Sequence, residues 1–147
     1  AEDMVEVMRT GMFMERVRRQ DGRQPTPEEA LRWATANGYK LMGLPDGGSI
    51  EPGKKADLIL IDLNRPHLVP HVRVVSTFVH QGQPGDITDV MVDGHWLMRD
   101  GAVLTMDEKA TVADAQRVAE RAWARLFAER PELKPTAGWQ PFAGAAS

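Results

Sequence analysis

The chain has 147 residues, with 18 Lys and Arg against 21 Asp and Glu, a net charge of −3 and no cysteine. That length carries one domain with a proper core. The mild acidic balance excludes the basic footprint of a nucleic-acid binder, and the missing thiols exclude disulfides, thiolate zinc sites and a cysteine nucleophile.

No apolar run approaches membrane-spanning length and no signal peptide is visible, so a soluble, cytoplasmic protein without membrane or nucleic-acid partners is expected. The chain opens on Ala1, not Met, and a helical pattern starts almost at once. A piece of a longer chain has this look, and so does a processed start.

Residues 4–18 place Met4, Val5, Met8, Met12 and Val17 at helical spacing, with Asp3 as the expected cap. Met4, Met8, Met12 and Met14 read as a soft core face. Arg16, Arg18, Arg19 and Arg23 read as a solvated helix end. "DGRQ" at 21–24 breaks the pattern. A second helix should then start with Thr26 at the N-cap, Pro27 at N1 and Glu29 at N3, a capping box. Leu31, Ala34 and Leu41–Met42 keep its period, Trp33 reads as packing, and Asn37-Gly38 offers a break into two pieces.

After Gly43 the texture changes to Gly, Pro and short apolar runs. "GSIEPGKK" from Gly48 to Lys55 is one residue short of a phosphate-binding P-loop. Such a loop needs Ser or Thr after Gly-Lys to reach Mg²⁺, and it must open a helix. Here Lys55 stands in that place and "ADLILID" follows, so a turn feeding a strand over Ala56–Asp62 is expected. Val74, Val75, Phe78 and Val79 predict a short helix. Asp93-Gly94 between two apolar runs predicts a hairpin, because both turn residues need positive φ. Asp100-Gly101 marks a second turn and Ala102–Thr105 a short third run.

From Thr105 the helical period returns, with Thr105 and Glu108 as a candidate capping box. Val112, Ala115, Val118, Ala119, Ala122 and Leu126 form one stripe through about residue 128. The tail has three prolines and no period, and reads as irregular, with Trp139 and Phe142 available to pack.

The candidate chemistry is sparse. His67 and His71 have the spacing of two ligands on one helical face, but Pro66 and Pro70 forbid that helix. His80 stands alone, and His95 should face solvent or an adjoining surface. Asp57, Asp62, Asp86, Asp89, Asp93 and Asp100 sit at strand ends and turns, where Asp bonds nearby backbone amides. These residues by themselves show no convergent catalytic set.

"EEALRWATANGYKLMGLPDGGSIEPGKKADLILIDL", together with the Val90–Gly94 hairpin, Asp100-Gly101 and the "MVEVMR" helix, resembles the closing segment of the amidohydrolase superfamily. Within it, the similarity is to the branch of guanine, adenosine-type and cytosine-type deaminases and triazine hydrolases. It spans residues 2 to about 128. It implies an α+β fragment: the terminal helices of a (β/α)₈ barrel over residues 1–44, the C-terminal half of a small composite β-sandwich over 45–106, a C-terminal helix over 107–129 and an irregular tail over 130–147.

The family's His-x-His is absent, and Asp3 falls in the place of a cap instead of the metal-binding Asp. No catalytic, cofactor-binding or metal residue is therefore carried over to this chain. The resemblance implies a parent enzyme that uses a divalent metal, zinc or iron, which this chain does not bind. The parent would activate water against a heterocyclic carbon bearing an amine or halide, hydrolytic deamination being the expected reaction on a small heterocyclic substrate. This chain alone is expected to be inactive. Its partner would be the missing N-terminal part or a second copy. Two other readings stand beside this one: a free-standing β-module for protein association, and a hydantoinase-type cyclic-amide hydrolase, which shares the Gly-Lys-x-Ala-Asp turn.

Overall fold

A computed structural model describes residues 3–133. It divides into two compact units, Ala1–Thr105 and Met106–Ser147.

In the first unit, helix α1 spans Met4–Arg19, and the Asp3 carboxylate caps it by accepting the Val5 N–H at 2.8 Å. Helix α2 spans Pro27–Arg32. The expected capping box is present: Thr26 accepts the Glu29 N–H, and Glu29 accepts the Thr26 N–H at 2.7 Å. The helix does not break at Asn37-Gly38. It widens into a π-helical turn over Trp33–Asn37 and continues as α3, Gly38–Leu41.

The arginine cluster is largely spoken for. Arg18 and Arg19 both grip Glu15, whose carboxyl they lower to about 2, and Arg16 Nε donates to the Pro25 carbonyl at 3.0 Å.

Strand β1 covers Leu58–Ile61, shorter than the sequence pattern by residues at both ends. Helix α4 covers Val74–Gln81, and a 3₁₀ turn at Pro84–Asp86 leads into β2, Ile87–Val92. β3 is His95–Arg99 and β4 is Ala102–Val103. The four strands form one antiparallel sheet in the order β1-β2-β3-β4, with Leu58 opposite Met91 and Val92 opposite His95. Asp93 and Gly94 have φ of 50° and 78°, the two positive values that a tight hairpin turn demands. Asp100 and Gly101 repeat this at 49° and 75°.

The core lies among the helices. Val5, Met8 and Met12 of α1 pack with Ala30 of α2 and with Phe78 and Val79 of α4, and Ile61 of β1 lies against them. Burying each large side chain contributes roughly 2 kcal/mol. Arg9 adds a polar tie: its guanidinium donates to the Val79 carbonyl at 3.1 Å and to the Gly82 carbonyl, satisfying the otherwise open end of α4. The methionine face needs correcting, since only Met8 and Met12 are core. Met4 is 56% and Met14 69% exposed, because they fall off the stripe that meets α2 and α4.

In the second unit, helix α5 runs from Glu108 to Glu129 and a 3₁₀ turn follows at Pro131–Leu133. Its cap is Asp107, which accepts the Ala110 N–H at 2.9 Å, so the expected Thr105–Glu108 box does not form. An Asp adjacent to the first helical residue takes the role before a more distant Thr can. Trp123 and Phe127 stack at 5.4 Å, while Val112 and Val118 of the expected stripe are exposed. Trp139 and Phe142 lie outside the described residues. No helix among the described residues is long and apolar enough to cross a membrane.

Candidate functional site

The Gly48–Lys55 stretch is a turn feeding a strand. Gly48, at φ 80°, lies so close to Ala36 that an added Cβ would meet its Cα at 2.7 Å, and only glycine fits. Lys54 folds back onto Ser49 and Glu51 Oε1, the latter at 3.0 Å, so it is satisfied inside its own turn. Lys55 donates its backbone N–H to the Asp46 carbonyl at 2.7 Å. Asp57 then joins three segments: one oxygen accepts the Asp93 N–H at 2.6 Å and the other accepts the Tyr39 hydroxyl. The Gly94 N–H donates to the Ala56 carbonyl at 3.1 Å beside it.

Next to this junction opens an apolar cleft of about 650 Å³, with Met4, Tyr39, Ile50, Ile59 and Met91 in its wall. Met4, Val7, Trp33 and Met42 continue the apolar surface into a neighbouring depression, and Leu41 beyond them is 89% exposed.

A second polar centre lies between the β1–α4 loop and the start of β2. Asp86 is only 3% exposed. Its carboxylate accepts from His67 Nε2 and from the Gln83 N–H, each at 2.8 Å, with Arg65 Nε at 3.9 Å. Arg65 also pairs with Asp62 at 3.1 Å, and the Asp62 N–H donates to the Asp86 carbonyl at 2.8 Å. Burial pushes the Asp86 carboxyl up. The His67 bond, the Gln83 N–H and the charges of His67 and Arg65 outweigh it and hold the carboxyl below its usual value.

The remaining histidines are dispersed. His80 Nδ1 donates to the Ser76 carbonyl at 2.8 Å, its ring lying 5.9 Å from Phe13. His95, exposed as expected, bonds the Asp93 carbonyl at 3.0 Å. His71 keeps a buried Nδ1 with no partner among the described residues and does not join His67 in a ligand pair. Among the described residues no three His, Cys, Asp or Glu side chains come together as a metal centre requires.

As expected, Asp62 and Asp86 bond nearby amides, accepting the Asn64 N–H at 2.9 Å and the Gln83 N–H at 2.8 Å, but the ties of Asp57 to Tyr39 and Asp93 and of Asp86 to His67 span 18 to 36 residues.

The turn, strand and hairpin have a known counterpart. The model of the Amidohydrolase family matches residues 1–97, and the chain belongs to that family. It is 40% identical over 119 residues to a 5-methylthioadenosine/S-adenosylhomocysteine deaminase of Pelotomaculum thermopropionicum, covering 81% of this chain and 28% of that protein. It is 33% identical over 124 residues to a 5′-deoxyadenosine deaminase of Methanosarcina mazei, covering 84% and 28%. Among solved structures, an adenosine deaminase from Xanthomonas campestris with bound zinc superimposes with a TM-score of 0.77 at 30% identity, over 80% of this chain and 27% of that one. The fold is also shared with atrazine chlorohydrolase from Arthrobacter aurescens complexed with zinc, at a TM-score of 0.69, 22% identity, and coverage of 77% and 25%. The chain thus spans about 28% of the length of the curated relatives it matches.

Proposed function

We propose that these residues are the C-terminal portion of a metal-dependent amidohydrolase that deaminates an adenine nucleoside. Water would replace the exocyclic amine, leaving a carbonyl and ammonia. The observation that carries this reading is the 40% identity to a deaminase over 81% of the chain. In this reading residues 1–44 are the last helices of a (β/α)₈ barrel, 45–106 the C-terminal half of a composite β-sandwich, 107–129 a closing helix and 130–147 its tail. The divalent metal, zinc by analogy with the zinc-bound neighbours, is held by residues outside this chain, which alone is inactive.

The chain's own part is a scaffold. Asp57 locks the sandwich turn to the hairpin and to Tyr39, and the exposed face of Met4, Val7, Leu41, Met42 and Ile50 is where the rest of the protein packs. An apolar face of this kind is uncommon on a stable monomer.

The coding frame upstream of Ala1, together with metal analysis of its full product, tests the reading. An in-frame segment carrying His-x-His, and a product containing zinc, are expected. A frame that begins at this chain would favour a free-standing association module instead.

A further inference from the structure

Asp89 lies in β2, between β1 and β3, and is 9% exposed. Its place in the sequence predicts a bond to a nearby backbone amide. None forms: among the described residues its side chain has no hydrogen bond and no ion pair. Neither oxygen is sealed in, so the carboxylate looks out through a narrow opening. Arg99 is the cation that the register brings alongside, one residue past the Met98 that faces Val90. Its guanidinium lies over the Trp96 ring instead, 4.9 Å from the centroid. A carboxylate withdrawn this far from water calls for a cation, because burying an unpaired charge is costly.

The surroundings describe that cation. Asp89 lies opposite Leu60 of β1, and cross-strand partners share a face. Ile61, the next residue, turns to the other face and packs on the helical core. Leu60 and Asp89 therefore face away from that core, and Leu60 is 51% exposed. β1 is an edge strand, so no described strand lies beyond Leu60. A side chain arriving here needs an apolar stem to lie along Leu60 and a charged head that gives up water readily. Arginine has both, being more weakly hydrated than lysine and able to donate two parallel bonds to one carboxylate. The match to the Pelotomaculum deaminase covers 28% of that protein, so most of such a protein lies outside these residues and can supply the arginine. We propose that an arginine of the same protein, from outside Ala1–Ser147, lies along Leu60 and pairs with Asp89, fastening the outer face of the sheet to the rest of the enzyme. The proposal rests on the reading of the chain as part of a larger enzyme.

The test replaces Asp89 in the product of the complete reading frame and reads the melting temperature, which needs no deaminase activity. Asp89→Leu should lower the midpoint by roughly 5 °C or more, since it leaves a buried guanidinium unpaired. Asp89→Asn, which keeps the shape, should lower it less. Asp89→Arg should lower it most, and changing each arginine outside Ala1–Ser147 to glutamate in turn should reveal one that restores the midpoint of Asp89→Arg. Arg99→Glu should not restore it. An unchanged or raised midpoint for Asp89→Leu and Asp89→Asn would overturn the proposal, as would rescue by Arg99→Glu or by no outside position. Those results leave the deaminase reading standing, whereas a reading frame that adds nothing to these residues would overturn both.

Discussion

The Asp57 carboxylate accepts the backbone N–H of Asp93 at 2.6 Å, and these residues are 36 positions apart. Its second oxygen takes the Tyr39 hydroxyl, so one side chain ties the entry to β1, the β2–β3 turn and α3 together. Asp57→Ala removes both acceptors and leaves two donors to find water. It should cost about 2 kcal/mol, and Tyr39→Phe about 1 kcal/mol. Urea unfolding checks this, and an Asp57→Ala midpoint equal to that of the parent chain would show the tie to be idle.

Gly94 sits at φ 78° with open space where a Cβ would go. The cost of a side chain there is therefore backbone strain alone. Gly94→Val should lower stability by about 1–2 kcal/mol, and Gly94→Asn by much less, since Asn tolerates the left-handed region. Thermal melts of the two variants should separate in that order.

Asp86 makes stability depend on acid. Its folded-state carboxyl titrates below the ordinary aspartate value of 3.8, so it stabilises the fold fully above that value. The contribution disappears as pH falls through the lower, folded-state value. Asp86→Asn should cost about 3 kcal/mol at neutral pH, because it strips a buried partner from His67 and Arg65. It should also flatten the acid limb of the stability curve below pH 3.8. Equal slopes for both proteins on that limb would contradict the assignment.

The exposed apolar face predicts association. At micromolar concentration the 147-residue chain should scatter light as more than a monomer and bind the dye ANS. Leu41→Glu with Met42→Glu should reduce both signals without lowering the melting temperature, since Leu41 is 89% exposed and outside the core. A well-folded monomer indifferent to ANS would contradict a face awaiting the rest of an enzyme.

Much of the local structure was legible because its causes are local. Asp3 and the Thr26–Glu29 box start helices from adjacent residues, and Asp93-Gly94 turns a hairpin by its own φ preferences. Periodicity found α1, α4 and α5. It did not tell Met14 from Met12, because which flank of a stripe is buried depends on where α2 and α4 lie. The π-turn at Trp33–Asn37 has no sequence signature, and the Asn37-Gly38 pair pointed to a break just past it. The His67–Asp86 and Asp57–Asp93 ties come from chain crossing, so spacing rules had nothing to register. The family was legible through the Gly48–Leu58 turn and the hairpin, whose glycines are demanded by close approach at Ala36 and by positive φ.

Ammonia release tests the central claim most directly. The zinc-loaded product of the complete reading frame, given 5′-methylthioadenosine or 5′-deoxyadenosine, should release one ammonia for each nucleoside converted, and the 147-residue chain alone should release none. A zinc-loaded product that frees no ammonia from any adenine nucleoside would contradict the assignment of these residues to a deaminase.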